Sequence, residues 1–161
     1  MGLMDQAIET ANDTAAKQAT TRARIERERG AKLAEKFTHD FGLDATWIDR
    51  VTVVDYQKKY RDFGGHEWRK RERVADRLQV DDIVIGITEK TYSTSSDYIV
   101  WRPCPDCGLN TPVTLACVTP YVHKPDDHRA KLIYEIGKVM TSDKPCTVCQ
   151  ARPCECCGRS N

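Results

Sequence analysis

The chain lacks any run of eighteen apolar residues; its longest apolar stretches, such as IVIGI at 83–87, have strand length. No segment therefore reads as a membrane-spanning helix. It also lacks the marks of an exported protein, because MGLMDQAIET opens with neither a basic start nor an apolar core. Gly2 follows Met1, but Gln6 stands where an N-myristoylation signal needs Ser or Thr. Strong charge of either sign is missing too. Lys and Arg number 25 against 24 Asp and Glu, a formal net charge of +1, which argues against a wholesale nucleic-acid coat but not against local patches. No acid/base pair, phosphate loop or activated nucleophile stands in a supporting context, so an enzyme is not expected. The expected compartment is a reducing cytoplasm, where C-x-x-C pairs more often bind metal or do redox chemistry than form a disulfide framework.

What is present suffices for one domain with a modest core and an extension: 161 residues, 40% hydrophobic and 30% charged. Residues 3–41 read as helix, with Met4, Ala7, Ile8, Ala11 and Ala15 recurring at helical steps and Gly30, Leu33, Ala34, Phe37 and Phe41 continuing later. Thr20, Thr21 and Gly30 weaken the run, so two segments or one broken helix are expected, with Gly42 as C-cap. The alanine-rich stripe at 4–19 suits a partner or self-association better than a monomer core. Strands are expected near 47–55, at 81–89, 96–103 and 112–122. Residues 66–78 read either as the second arm of a hairpin around Gly64-Gly65 or as a short helix. A helix follows in KPDDHRAKLIYEIGKVMTSD, with Ala130, Leu132, Ile133, Ile136 and Val139 facing inward. The expected fold class is α+β: an N-terminal helical segment (1–42), then a small zinc-binding domain (43–161) with an antiparallel sheet, one C-terminal helix and a zinc-knuckle site.

The chemistry lies in the eight cysteines. CPDCG places Cys104 and Cys107 at the end of a strand. Two thiolates two residues apart can grip one ion while the turn between them aims main-chain N–H groups at the sulfurs. Pro105 stiffens that turn, and Gly108 can take the positive φ that lets the chain wrap back. CTVC repeats the unit at Cys146 and Cys149, with 38 residues between Cys107 and Cys146. CECC offers Cys154, Cys156 and Cys157 as ligands of a second ion, or as an alternative mate for the first pair. Cys117, His123 and His128 are candidate fourth ligands for that second ion, although Cys117 in TLACV reads better as a small buried hydrophobe.

The CPDCG unit resembles the zinc-knuckle half of zinc-ribbon proteins, in which two knuckles enclose Zn²⁺ with four sulfurs. The resemblance covers only the knuckles in the last third of the chain. It implies one Zn²⁺ on Cys104, Cys107, Cys146 and Cys149, with a second conceivable at the tail. The metal is expected to be structural. A zinc-deaminase reading fails because His66-Glu67 lacks the intervening residue of H-x-E. A thioredoxin-like reading fails because GLNTPVT breaks the helix that would have to follow CPDC.

One basic stretch remains. Lys58, Lys59, Arg61, Arg69, Lys70, Arg71 and Arg73 outnumber Asp62, Glu67 and Glu72, and Tyr60, Phe63 and Trp68 are interleaved. Cations track phosphates and rings stack on bases, so this is the nucleic-acid candidate, set against a solvated face with inward aromatics. Two functions are expected in consequence. One is a zinc-stabilised nucleic-acid-associated or regulatory protein. The other is a zinc-stabilised protein-interaction module, a regulatory or phage-type accessory factor, that uses residues 3–41 to grip a partner or its own copy. No membrane partner is expected.

Overall fold

A computed structural model describes residues 2–60, 64–89, 96–116, 118 and 125–151. The order of elements is α1 (Leu3–Phe41), β1 (Thr46–Tyr60), β2 (His66–Val80), β3 (Ile83–Thr88), β4 (Tyr98–Pro103), β5 (Asn110–Thr114), α2 (Pro125–Met140) and α3 (Thr147–Ala151). The fold is α+β, and no described helix is long and apolar enough to cross a membrane.

α1 is one continuous helix rather than two segments. Its threonines are absorbed by back-bonding: Thr10, Thr14, Thr20 and Thr21 each donate a hydroxyl to the carbonyl four residues earlier. Gly30 does not interrupt it but makes room for a neighbour, because a Cβ there would lie 2.3 Å from Cδ2 of Trp47. The helix ends as its sequence predicts, with Gly42 at φ 66° donating its N–H to the Thr38 carbonyl. Only its last third is anchored: Ala34, Phe37 and Phe41 are buried, whereas residues 3–28 are all exposed.

The five strands form an antiparallel meander in the order β1-β2-β3-β4-β5. Residues 66–80 are strand, which resolves the choice left open by their composition. β2 pairs along its whole length with β1, and alternation sends Leu78 to the helix-covered face and Ala75 to the other. The third and fourth strands match expectation closely. β5 starts at Asn110, two residues earlier than its predicted start at 112, and ends at Thr114; residues 117 and 119–122 of the predicted 112–122 lie outside the described residues.

The main core lies between the sheet and the helices. Phe41 packs edge-on against Tyr98 with Phe37 tilted beside it, and Leu78, Ile85, Val100 and Leu132 complete the core. On α2 the inward stripe is Leu132, Ile136 and Val139, with Glu135 buried among them, whereas Ala130 and Ile133 face solvent. Lys131 and Lys138 bracket the Glu135 carboxylate at 3.5 and 3.3 Å, which makes its burial tolerable. The C-terminal part holds a second, one-turn helix, α3, that the sequence reading did not contain.

The other sheet face is concave. β1 and β2 run past β3, and the end of β1 reaches β5 and α3. Arg73 on β2 donates to the Thr114 hydroxyl on β5 at 3.0 Å, although two strands lie between them in the ladder. Inside the curve sit Val53, Ala75 and Ile99, with Trp101 lying over Gly86.

Candidate metal centre

β4 delivers Cys104 and the turn into β5 delivers Cys107. In this knuckle Gly108, at φ 75°, donates its N–H to the Cys104 carbonyl at 2.8 Å, and Cys104 donates to the Leu109 carbonyl at 2.8 Å. The Cys107 N–H points at the Cys104 sulfur from 3.5 Å. The second knuckle repeats the device on the first turn of α3. There the Cys149 N–H points at the Cys146 sulfur from 3.4 Å, and Gln150 donates its N–H to the Cys146 carbonyl at 3.0 Å.

The two knuckles meet. The sulfurs of Cys104, Cys107, Cys146 and Cys149 all lie within 4.8 Å of one another. Cys107 and Cys146 are 3.9 Å apart and Cys146 and Cys149 are 3.3 Å apart. Four Zn–S bonds of about 2.3 Å in a tetrahedron require sulfurs roughly 3.8 Å apart, so the donor set and its spacing fit Zn²⁺. Among the described residues the cluster holds these four cysteines alone. The first cysteine of each pair is buried and the second is half-buried.

The sulfurs differ in electrostatics. Burial pushes the Cys104 thiol up, but N–H groups of Cys107, Cys146 and Asp106 turned toward it prevail, and its pKa falls from 9.0 to about 6. The Cys146 N–H bridges the knuckles by pointing at the Cys104 sulfur from 3.2 Å. For Cys146 burial dominates and its thiol is pushed up. A second tie holds the knuckles together: Arg102 on β4 donates one Nη to the Ser142 carbonyl at 2.6 Å and the other to the Lys144 carbonyl. That strut fixes the segment entering the second knuckle, and no sequence motif signalled it.

No known protein family, curated protein or solved structure matches the chain. The function therefore has to be read from this site and the surfaces around it.

Cys117, His123, Cys154, Cys156 and Cys157 lie outside the described residues. His128 stands apart from the cluster, its ring edge-on to Phe41 with centroids 6.4 Å apart.

The basic stretch does not form one surface. Arg61 lies outside the described residues. Strand alternation turns Lys58 and Lys70 to one face of the hairpin, and Lys59, Arg69, Arg71 and Arg73 to the other. Several of these charges are already matched within the chain. Asp55 accepts from both Arg71 (2.8 Å) and Arg73 (2.9 Å), and Arg73 also reaches Asp97 at 3.0 Å. Arg69 pairs with Glu67, and Lys70 with Glu72. Lys58 lies over the Trp68 ring at 6.0 Å, and Lys59 is exposed.

Proposed function

We propose that the protein is a non-enzymatic, zinc-stabilised protein-interaction module. Cys104, Cys107, Cys146 and Cys149 hold one structural Zn²⁺, and residues 3–28 form the arm that engages a protein partner or a second copy. The observation that carries this reading is the arm itself. Every residue from 3 to 28 is exposed, including Leu3 at 83% and Met4 at 73%, along a helical stretch of roughly 39 Å. A helix with no tertiary packing is marginal in water, so a partner surface is the natural source of its stability. Four thiolates close the zinc coordination sphere and leave no position for substrate, which suits a structural metal.

The test is chemical cross-linking of the full chain in its host, combined with hydrogen exchange on the purified protein. Cross-links from Lys17 and neighbouring arm residues to another chain, with protection of 3–28 in that complex, are expected. An arm that exchanges at the rate of an unfolded peptide under all conditions and cross-links to nothing sinks the reading.

Nucleic-acid association is the second reading. It draws on the hairpin end, where Lys58, Trp68 and the exposed Tyr60 share one face and gather phosphate- and base-binding groups.

A further inference from the structure

We propose that the cleft beside the second knuckle binds an acidic peptide segment in extended form. The cleft encloses about 490 Å³ between the outer edge of β5, the far end of β1, the C-terminal half of α2 and residues 142–150. That volume is within the range of specific ligand sites. It exists because the sheet curls, bringing Asp55–Lys58 of β1 opposite Thr111–Thr114 of β5.

The edge chemistry points to a peptide. Leu115 donates its N–H to the Tyr98 carbonyl. Alternation in an antiparallel ladder then turns residues 111 and 113 toward β4 and leaves the main-chain groups of Pro112 and Thr114 facing the cleft. Pro112 has no N–H, so the free edge offers two carbonyls and one donor. That asymmetry discourages edge-to-edge pairing of two copies but still accepts N–H groups from an added strand. The floor, with Val113, Ala116, Val139 and Pro145, suits alternate apolar side chains, and Tyr56 is the one ring among the described lining residues. A stack of unpaired bases would want more rings than that.

Charge supplies the sign. Among the described residues five cations line the cleft against two carboxylates, Asp55 and Glu135. Arg71 is matched by Asp55, and Lys138 by Glu135. Lys58 and Lys144 form no ion pair among the described residues, and Arg102, only 6% exposed, has a buried Nε with no acceptor. The surplus is cationic and faces an apolar floor, which selects carboxylates on a peptide with intervening apolar residues. Pro145, Cys146 and Thr147 belong to the wall, so the metal centre shapes the cleft.

The experiment measures fluorescence anisotropy of a labelled ten-residue peptide of alternating Glu and Val, with zinc-loaded full-length protein. Saturable binding is expected, weakened at least tenfold in the Lys58→Glu/Lys144→Glu double variant and unchanged in Lys32→Glu, exposed on α1 and outside the cleft. Chelation of the metal is expected to abolish it. Three results overturn the proposal: no binding up to 1 mM peptide, equal binding of an alternating Lys and Val peptide, or displacement by a ten-nucleotide oligo-dT with the same dependence on Lys58 and Lys144. None of these touches the arm, whose cross-links stand or fall separately.

Discussion

Gly30 and Trp47 form a contact that no other residue at position 30 would permit, with the indole lying where a Cβ would project. The same indole donates its N–H to Asp76 at 3.0 Å, which locks it between α1 and the sheet. Gly30→Ala is therefore expected to lower stability by about 1–3 kcal/mol through overpacking, despite a helix-propensity gain of about 1 kcal/mol. Urea unfolding of Gly30→Ala with and without Trp47→Leu checks this, since the cost should shrink once the indole is gone.

Asp76 should leave a signature in acid. Burial raises its pKa, but hydrogen bonds from Arg29 and Trp47 outweigh it and hold the carboxyl below its usual value. A depressed folded-state pKa means that the stability is fully present above the unfolded value, near 4, and is lost as pH falls through the folded value. Asp76→Asn should be less stable than wild type at neutral pH, with the gap closing below pH 4. A gap that stays constant down to pH 2 would remove the ion pair from the account of how α1 is anchored.

The metal centre makes a stoichiometric prediction. Native mass spectrometry should find one Zn²⁺ per chain in the variant with Cys154, Cys156 and Cys157 all changed to Ser, and none on this site in Cys104→Ser. Chelation should cost about 4 kcal/mol or more, the linkage expected for a ligand at 1,000 times its Kd. That corresponds to a fall of roughly 10 °C in the thermal midpoint for a chain of this size. An unchanged midpoint together with no bound metal would overturn the structural-zinc reading.

Two kinds of cation in the hairpin should separate by assay. Arg73→Ala removes a partner from the buried Asp55 carboxylate and should cost about 1–3 kcal/mol of stability, read by denaturant midpoint. Lys58→Ala and Lys59→Ala should leave stability within about 0.5 kcal/mol. If the hairpin end contacts phosphate, those two changes should flatten the salt dependence of oligonucleotide binding, by about one unit of log–log slope for each contact removed.

The parts legible in the sequence were those whose cause is local. The C-x-x-C spacing with Gly108 behind it, the glycine stop at 42 and the apolar period of 30–41 each carry their own geometry. β2 was ambiguous because RKRERVADR has few β-branched residues. Its strand state comes from carboxylates supplied by β1: Asp49 meets Arg77 at 2.5 Å, and Asp55 meets Arg71 and Arg73. Glu135 displaced Ile133 from the inward stripe of α2 for a similar reason, since flanking lysines neutralise it where a hydrophobic count sees only a charge. The Arg102 strut joins residues forty positions apart and had no local sign at all.

Every strand of the meander pairs with its neighbour in sequence, whereas the two knuckles come from opposite sides of a long excursion. Contacts between sequence neighbours form early, and closing a distant pair costs more chain entropy. The sheet can therefore assemble before the second knuckle arrives, and the four-sulfur site is complete only when Cys146 and Cys149 have joined Cys104 and Cys107. Metal occupancy of the four sulfurs would thus act as a timestamp, because a chain able to close the site has already brought its two knuckles together.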